Sequence, residues 1–339
     1  MNYLKNKQYN FIDLLRFIMA FFVIYIHKPF LMDSYPLINM IITQMFARCA
    51  VPFYLAAAGF LFFGRAQSGQ KTPSREYLLR YIKRLLIMYC VWSVLYIPPK
   101  LYSCIVQHES MPGMLLDYLK HIFLHGTHIH LWFLPALAIA ICLTYLFLTK
   151  LSIKATLVIS ILINLAYKAF VFSTHNEKGE DYFLILSVCF CFAFVAIGAY
   201  VAQNKGFSKK ANYFGLGISF LLVVITEIIR FKAESTFLKE KNIFMFGIIY
   251  FLLSIAKEIE LKPRLCYLYL RKSSSLIYLS HLLVGERMLY TLAYLIGQEQ
   301  LGYNPLFKFL FVLLYTLPLS FGLIWLEEKK HFGIIKRLH

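Results

Sequence analysis

Four stretches of this sequence place ionisable side chains inside apolar runs, and anion binding is the chemistry most of them share. In the run 11–30, Arg16 and His27 are eleven residues apart. That is close to three helical turns, so both project from one stripe about 16 Å apart along the axis. Asp13 stands at i−3 from Arg16 and can pair with it. In the run 39–63, Arg48 precedes Pro52 by four residues. Proline frees carbonyls in the preceding turn, so this guanidinium can satisfy them, bind an anion, or do both. Arg80, Lys83 and Arg84 crowd the entry to the next run. They can anchor topology, or grip phosphate through guanidinium forks. A later run carries His281, Glu286 and Arg287, three ionisable groups that imply a polar interior.

The surrounding composition explains where these groups must sit. The chain has 339 residues, of which 60% are apolar and 15% charged, and its net charge is +18. Its mean hydropathy is +0.63. A soluble domain carries about 25% charged residues, so a soluble globular enzyme is excluded. Apolar runs of about 20 residues read as membrane spans, here 11–30, 39–63, 82–100, 131–149, 153–172, 183–202, 212–231, 242–256, 274–296 and 305–326. On that placement His281 lies about two turns from the inner end of its span. The fold class is therefore an all-α polytopic membrane helix bundle of about ten transmembrane helices. It is one membrane domain over 1–339, with no separate soluble domain. The first run is read as retained, because His27-Lys28-Pro29 follows it instead of a small-residue cleavage site.

With the N terminus inside, the inner loops carry nearly three times as many Lys and Arg as the outer ones. That bias predicts both termini cytoplasmic and accounts for the positive charge without nucleic acid. His121, His125, His128 and His130 precede the fourth span, but no nearby Asp, Glu or Cys completes a ligand set, so no metal site is assigned. The seven cysteines fall mostly within spans, and no structural disulfide is expected. No internal repeat of the kind secondary transporters carry is evident.

Five motifs in register carry a resemblance. They are Arg16 with His27; Arg48-x-x-x-Pro52-Phe53 followed by Ala58-Gly59-Phe60; Arg80 through Arg84; His130-Leu131-Trp132-Phe133-Leu134-Pro135; and Ile277-Tyr278-x-x-His281. From about residue 9 to 326 the chain resembles the acyltransferase-3 family of bacterial multi-pass membrane proteins. Two departures stand out. Ala58 replaces the family's serine and removes a hydroxyl, and Lys83 replaces an arginine and lacks its planar fork.

The resemblance implies transfer of an acyl group, commonly acetyl, from cytoplasmic acetyl-CoA or another acyl-CoA to a hydroxyl of an extracytoplasmic or lipid-linked glycan. It implies a place in the bacterial cytoplasmic (inner) membrane, among membrane lipid. On this reading Arg80, Lys83 and Arg84 hold the donor phosphates. Arg16 orients or neutralises the donor or its oxyanion, and His27 is general base or transient acyl carrier. Asp13, Arg48, His130, Trp132, His281, Glu286 and Arg287 line or support the cavity. The competing readings are a polysaccharide exporter, an amino-acid transporter of the kind fused to membrane-bound racemases, and a structural subunit of an envelope-synthesis complex. The sequence carries no signal for an oligomeric state.

Overall fold

A computed structural model describes residues 8–108, 110–124, 126–173, 183–232, 243–284 and 286–330. Among them the secondary structure is helical, with no strand: α1 (Asn10–His27), α2 (Pro36–Ile41), α3 (Ala50–Phe63), α4 (Arg75–Leu95), α5 (Ile97–Val106), α6 (Met111–Leu124), α7 (Phe133–Lys150), α8 (Ile153–Ser173), α9 (Phe183–Gln203), α10 (Lys209–Lys232), α11 (Met245–Glu258), α12 (Leu265–Ser280), α13 (Glu286–Leu295), α14 (Glu299–Tyr303) and α15 (Pro305–Lys330). Seven helical segments among the described residues are long and apolar enough to cross a bilayer. They correspond to the first, second, third, fourth, fifth, seventh and tenth expected spans. Their outward side chains, such as Phe214, Leu221, Ile229 and Leu314, are exposed and apolar, as lipid contact requires.

The innermost helix is α3, apolar on every side, as a helix enclosed by others must be. It meets α9 at a crossing of small residues. A Cβ at Gly59 would fall on the carbonyl of Val195, and one at Gly198 on the carbonyl of Ala56. Backbone cannot swing aside as a side chain can, so these glycines set the interhelical distance. Gly198→Val is expected to destabilise the bundle by at least about 2 kcal/mol, read as a lowered unfolding midpoint in detergent. An unchanged midpoint would contradict this packing.

Pro52 shapes the chain ahead of α3. Having no N–H and crowding the Arg48 carbonyl four residues back, it disfavours a regular α turn there, and a 3-10 turn stands at Ala47–Cys49, after a π turn at Ile42–Phe46. Arg48 sits in the second of these.

One end of the bundle gathers the basic loops. Gln203 donates to the Lys71 carbonyl, Lys71 to the Leu151 carbonyl, and Lys257 to the carbonyls of Val201 and Asn204. Asn10 at the start of α1 donates to Leu261 at the same end. This is the end that the loop charges place in the cytoplasm.

Two expected spans differ. Met245–Glu258 covers only about 21 Å, less than a bilayer core. The run 274–296 is not one helix: α12 begins at Leu265 and stops at Ser280, and α13 resumes at Glu286. A helix that ends inside a bundle exposes carbonyls with no water to satisfy them. Here side chains do it. Tyr96 Oη and His130 Nε2 lie 2.8 and 3.1 Å from the Leu279 carbonyl. His281 Nδ1 lies 2.7 Å from that of Tyr278, and Tyr315 Oη donates to those of Ser280 and His281. His281 is thus sixteen residues from the start of α12, about 24 Å along the axis, and not near the inner end.

Candidate active site

The first stretch of α12 explains why basic residues are tolerated there. Arg271, Ser275 and Tyr278 follow at i, i+4 and i+7, one stripe of a helix. That stripe faces α1 and a cavity of ≈ 670 Å³ that opens at the basic end. α1 contributes Arg16, α3 supplies Tyr54, α4 adds Tyr81 and Arg84, and Glu327 comes from α15.

Arg16 is held from three sides. Its Nη2 donates to Ser275 Oγ at 3.1 Å. Its Nη1 is 3.9 Å from Asp13 Oδ1, and its guanidinium carbon lies 5.7 Å from the Tyr54 ring centroid. Tyr54 Oη donates to the Arg16 carbonyl at 2.6 Å, fixing α1 against α3. Asp13 serves a second cation as well: its Oδ2 is 4.0 Å from Arg271 Nη1. Lys272 and Glu327 neutralise one another at 2.7 Å. Arg16, Arg65, Arg84 and Arg271 then leave the cavity strongly positive, with Asp13 the carboxylate shared between two of them. Low-dielectric walls strengthen such a field.

Of the three residues expected as a phosphate clamp, Arg84 lines this cavity. Arg80 is exposed a turn nearer the inner end, where its Nε donates to the Glu76 carbonyl. Lys83 lines a separate apolar groove with Leu79, Leu86 and Cys90 on the outside of α4. Arg65, Arg271 and Lys272 complete the rim instead. By charge alone these three belong with the inner-loop cations that set topology, although the Arg271–Ser275–Tyr278 spacing marks that face of the helix as polar. Arg48 and Trp132 do not line the cavity: Arg48 is partly buried in its 3-10 turn, and Trp132 packs against the main apolar core. The side chains of Glu286 and Arg287 lie outside the described residues, as does His125.

Four histidines meet beyond the far end of the cavity. The His27 and His281 ring centroids are 5.0 Å apart, those of His281 and His130 4.9 Å, and those of His130 and His128 5.1 Å. Tyr96 packs on both His128 and His130. His130 and His281 are buried, whereas His27 is partly accessible. Burial, reinforced by His27 and Lys100, holds His128 down to about 4, so its ring is neutral near pH 7. His27 ends α1 and His281 caps α12, so the negative ends of two helix dipoles converge here.

A single aromatic layer separates this cluster from the cavity. Tyr278 lines the cavity, its ring stands 6.1 Å from both His130 and His281, and its hydroxyl donates to the His130 carbonyl at 3.2 Å. Phe133 braces it at 5.2 Å. The cavity that holds Arg16 is closed toward the histidines by Tyr278, which lines it on one side and packs beside His130 and His281 on the other.

Comparison with known proteins adds the family. Residues 9–325 match a family model described as an acyltransferase domain. An amino-acid racemase of Enterococcus faecalis is 28% identical over 239 residues, 65% of this chain and 32% of that protein. A serine/alanine racemase of Enterococcus gallinarum is 32% identical over 134 residues, 40% of this chain and 18% of that protein. The matched stretches thus span a third or less of these relatives' length. No solved structure matches.

Proposed function

The chain belongs to the acyltransferase-domain family, and from that premise we propose that it moves an acyl group, acetyl in the simplest case, from cytoplasmic acyl-CoA to a hydroxyl of an extracytoplasmic or lipid-linked glycan. We place it in the inner membrane of a bacterium. The observation that carries this reading is the positive cavity at the basic end, whose floor lies one aromatic ring from a histidine cluster. A strongly anionic donor fits the first, and an acceptor proton fits the second.

On this reading Arg65, Arg84 and Arg271 receive the donor phosphates, with Arg80 and Lys83 adding only to the field. Arg16 is held deeper and receives the inner part of the donor. Because α1 is one unbroken helix, Arg16 stands about 16 Å from His27 along its axis. An oxyanion forms within hydrogen-bonding reach of its stabiliser, so donor binding, and not oxyanion stabilisation at His27, is the role that distance allows. The donor arm passes Tyr278 by displacing its ring. His27 takes the acceptor's proton, the acceptor oxygen attacks the thioester carbon, the C–S bond breaks, and the proton leaves with the thiolate.

The direct test is labelled acetyl-CoA added to the purified protein in nanodiscs. Label should pass to an added glycan acceptor or, more slowly, to water. Donor left intact under all conditions would refute the reading. A second expectation concerns the rim: Arg84→Glu should raise the KM for acyl-CoA about tenfold, and Lys83→Glu less than about twofold, since a charge outside the cavity is screened by solvent. Equal effects would remove Arg84 from the donor site.

One pair of observations favours an amino-acid carrier as the second reading. The relatives are named amino-acid racemases, and the cavity is closed at Tyr278, as one side of an alternating-access path would be. Movement of labelled amino acid into proteoliposomes without any acyl donor would support it.

A further inference from the structure

The buried end of α12 contains one imidazole nitrogen that the fold leaves without a partner. His281 is 1% exposed, and its Nε2 has no hydrogen bond. Its other nitrogen is committed: Nδ1 lies 2.7 Å from the Tyr278 carbonyl, which can only accept, so Nδ1 carries the proton. In the neutral ring Nε2 then holds a lone pair. An unmet lone pair in a bundle interior is unfavourable unless something uses it.

The neighbouring rings are not free to use it. His130 Nε2 lies 3.1 Å from the Leu279 carbonyl, so that nitrogen donates. His130 Nδ1 is left as acceptor and lies 3.2 Å from His128 Nδ1, which donates to it. Both His130 nitrogens are thus committed, whereas His27 is a ring-width away and partly accessible from the other side. The backbone under His281 is also fixed, since Tyr315 Oη donates to the carbonyls of Ser280 and His281.

We propose that His281 is the positioning residue of His27: with the two ring centroids 5.0 Å apart, a turn of the His27 ring brings its far N–H to the unpartnered His281 Nε2 lone pair and leaves the near nitrogen unprotonated toward the acceptor hydroxyl. This is the role a carboxylate has in a nucleophile–base–orienter triad, filled here by a second, neutral imidazole. It rests on His27 being the base. When His27 takes the acceptor's proton, it becomes an imidazolium with one proton on each nitrogen. The far one stays hydrogen-bonded to His281 Nε2, and the near one departs with the donor thiolate. His281 keeps its own Nδ1 proton throughout. The converging C-terminal ends of α1 and α12 favour that transient positive charge, so no buried carboxylate is required beside it.

Two substitutions separate positioning from packing. His281→Asn keeps an amide N–H where Nδ1–H bonds the Tyr278 carbonyl but has nothing at Nε2. His281→Gln extends a carbonyl oxygen to the Nε2 position. In acyl transfer, H281N should lower kcat about 10- to 100-fold with the acyl-CoA KM unchanged, and H281Q should recover most of that loss. A second readout does not depend on turnover. Diethyl pyrocarbonate modifies unprotonated imidazole, and peptide mass spectrometry gives the rate at His27, with exposed His121 as internal reference. That rate should fall about threefold or more in H281N and return in H281Q. If H281N leaves the His27 rate unchanged, or if both variants lower it equally, the proposal is wrong. If the wild type transfers no acyl group yet the His27 rates follow the expected order, the acyltransferase reading fails and the His27–His281 pairing stands.

Discussion

Replacing His27 with alanine is expected to lower kcat for acyl transfer by about 10³-fold, the scale of a lost general base, while insertion and the KM for acyl-CoA stay near wild type. The expectation follows from position. His27 and His128 are the partly accessible members of a four-histidine cluster, and His128 Nδ1 is engaged with His130, whereas His130 and His281 are buried with hydrogen bonds to the Leu279 and Tyr278 carbonyls. It ends α1 at the end of the bundle away from the basic rim, so removing its ring leaves the donor cavity intact. His130 and His281 cannot substitute, since both rings are buried and neither meets an acceptor from outside. A His27→Ala protein with kcat within threefold of wild type would remove the base from this site. A fall in kcat matched by a rise in donor KM would show that the ring binds donor instead.

The second large effect concerns Arg16. Arg16→Glu should raise the KM for acyl-CoA at least about 100-fold, a lower bound, since a single charge pair about 4 Å apart is already worth about 4 kcal/mol where the effective dielectric is about 20 and reversal turns that attraction into repulsion. The substitution does more than delete a contact. It sets a second carboxylate beside Asp13, whose remaining cation, Arg271, is partly exposed. Arg16→Lys should fall between, because lysine restores charge but not the fork that reaches Ser275 Oγ and Asp13 together. Donor affinity that is unchanged in Arg16→Glu, measured by competition with CoA in detergent, would exclude Arg16 from the donor site.

Much of the site was legible before folding was considered. Charged residues within apolar runs are rare because lipid cannot solvate them, so Asp13, Arg16 and Arg48 marked an interior or a wet boundary wherever they fell. Helical periodicity placed Arg16 and His27 on one stripe, and α1 carries them so. On α4 the reading rested on charge density and not on periodicity, and Arg80, Lys83 and Arg84 formed one cluster in sequence. Their neighbours in space differ: Arg84 turns into the cavity, Lys83 into an outer groove, and Arg80 to the inner surface. A cluster of three positive charges reads alike whichever of them faces the interior.

Membrane class, approximate spans, the sidedness of charge and the ionisable residues inside the bundle are properties of the chain read locally, because each depends on hydropathy over about 20 residues. The break in α12, the joining of His281 to His27 from opposite ends of the chain, and the tyrosine layer between the basic cavity and the histidines were decided only by tertiary structure. Each depends on which helix faces which. Periodicity tells which side chains share a face, whereas the partner of that face is chosen by close packing and by the need to satisfy every buried carbonyl.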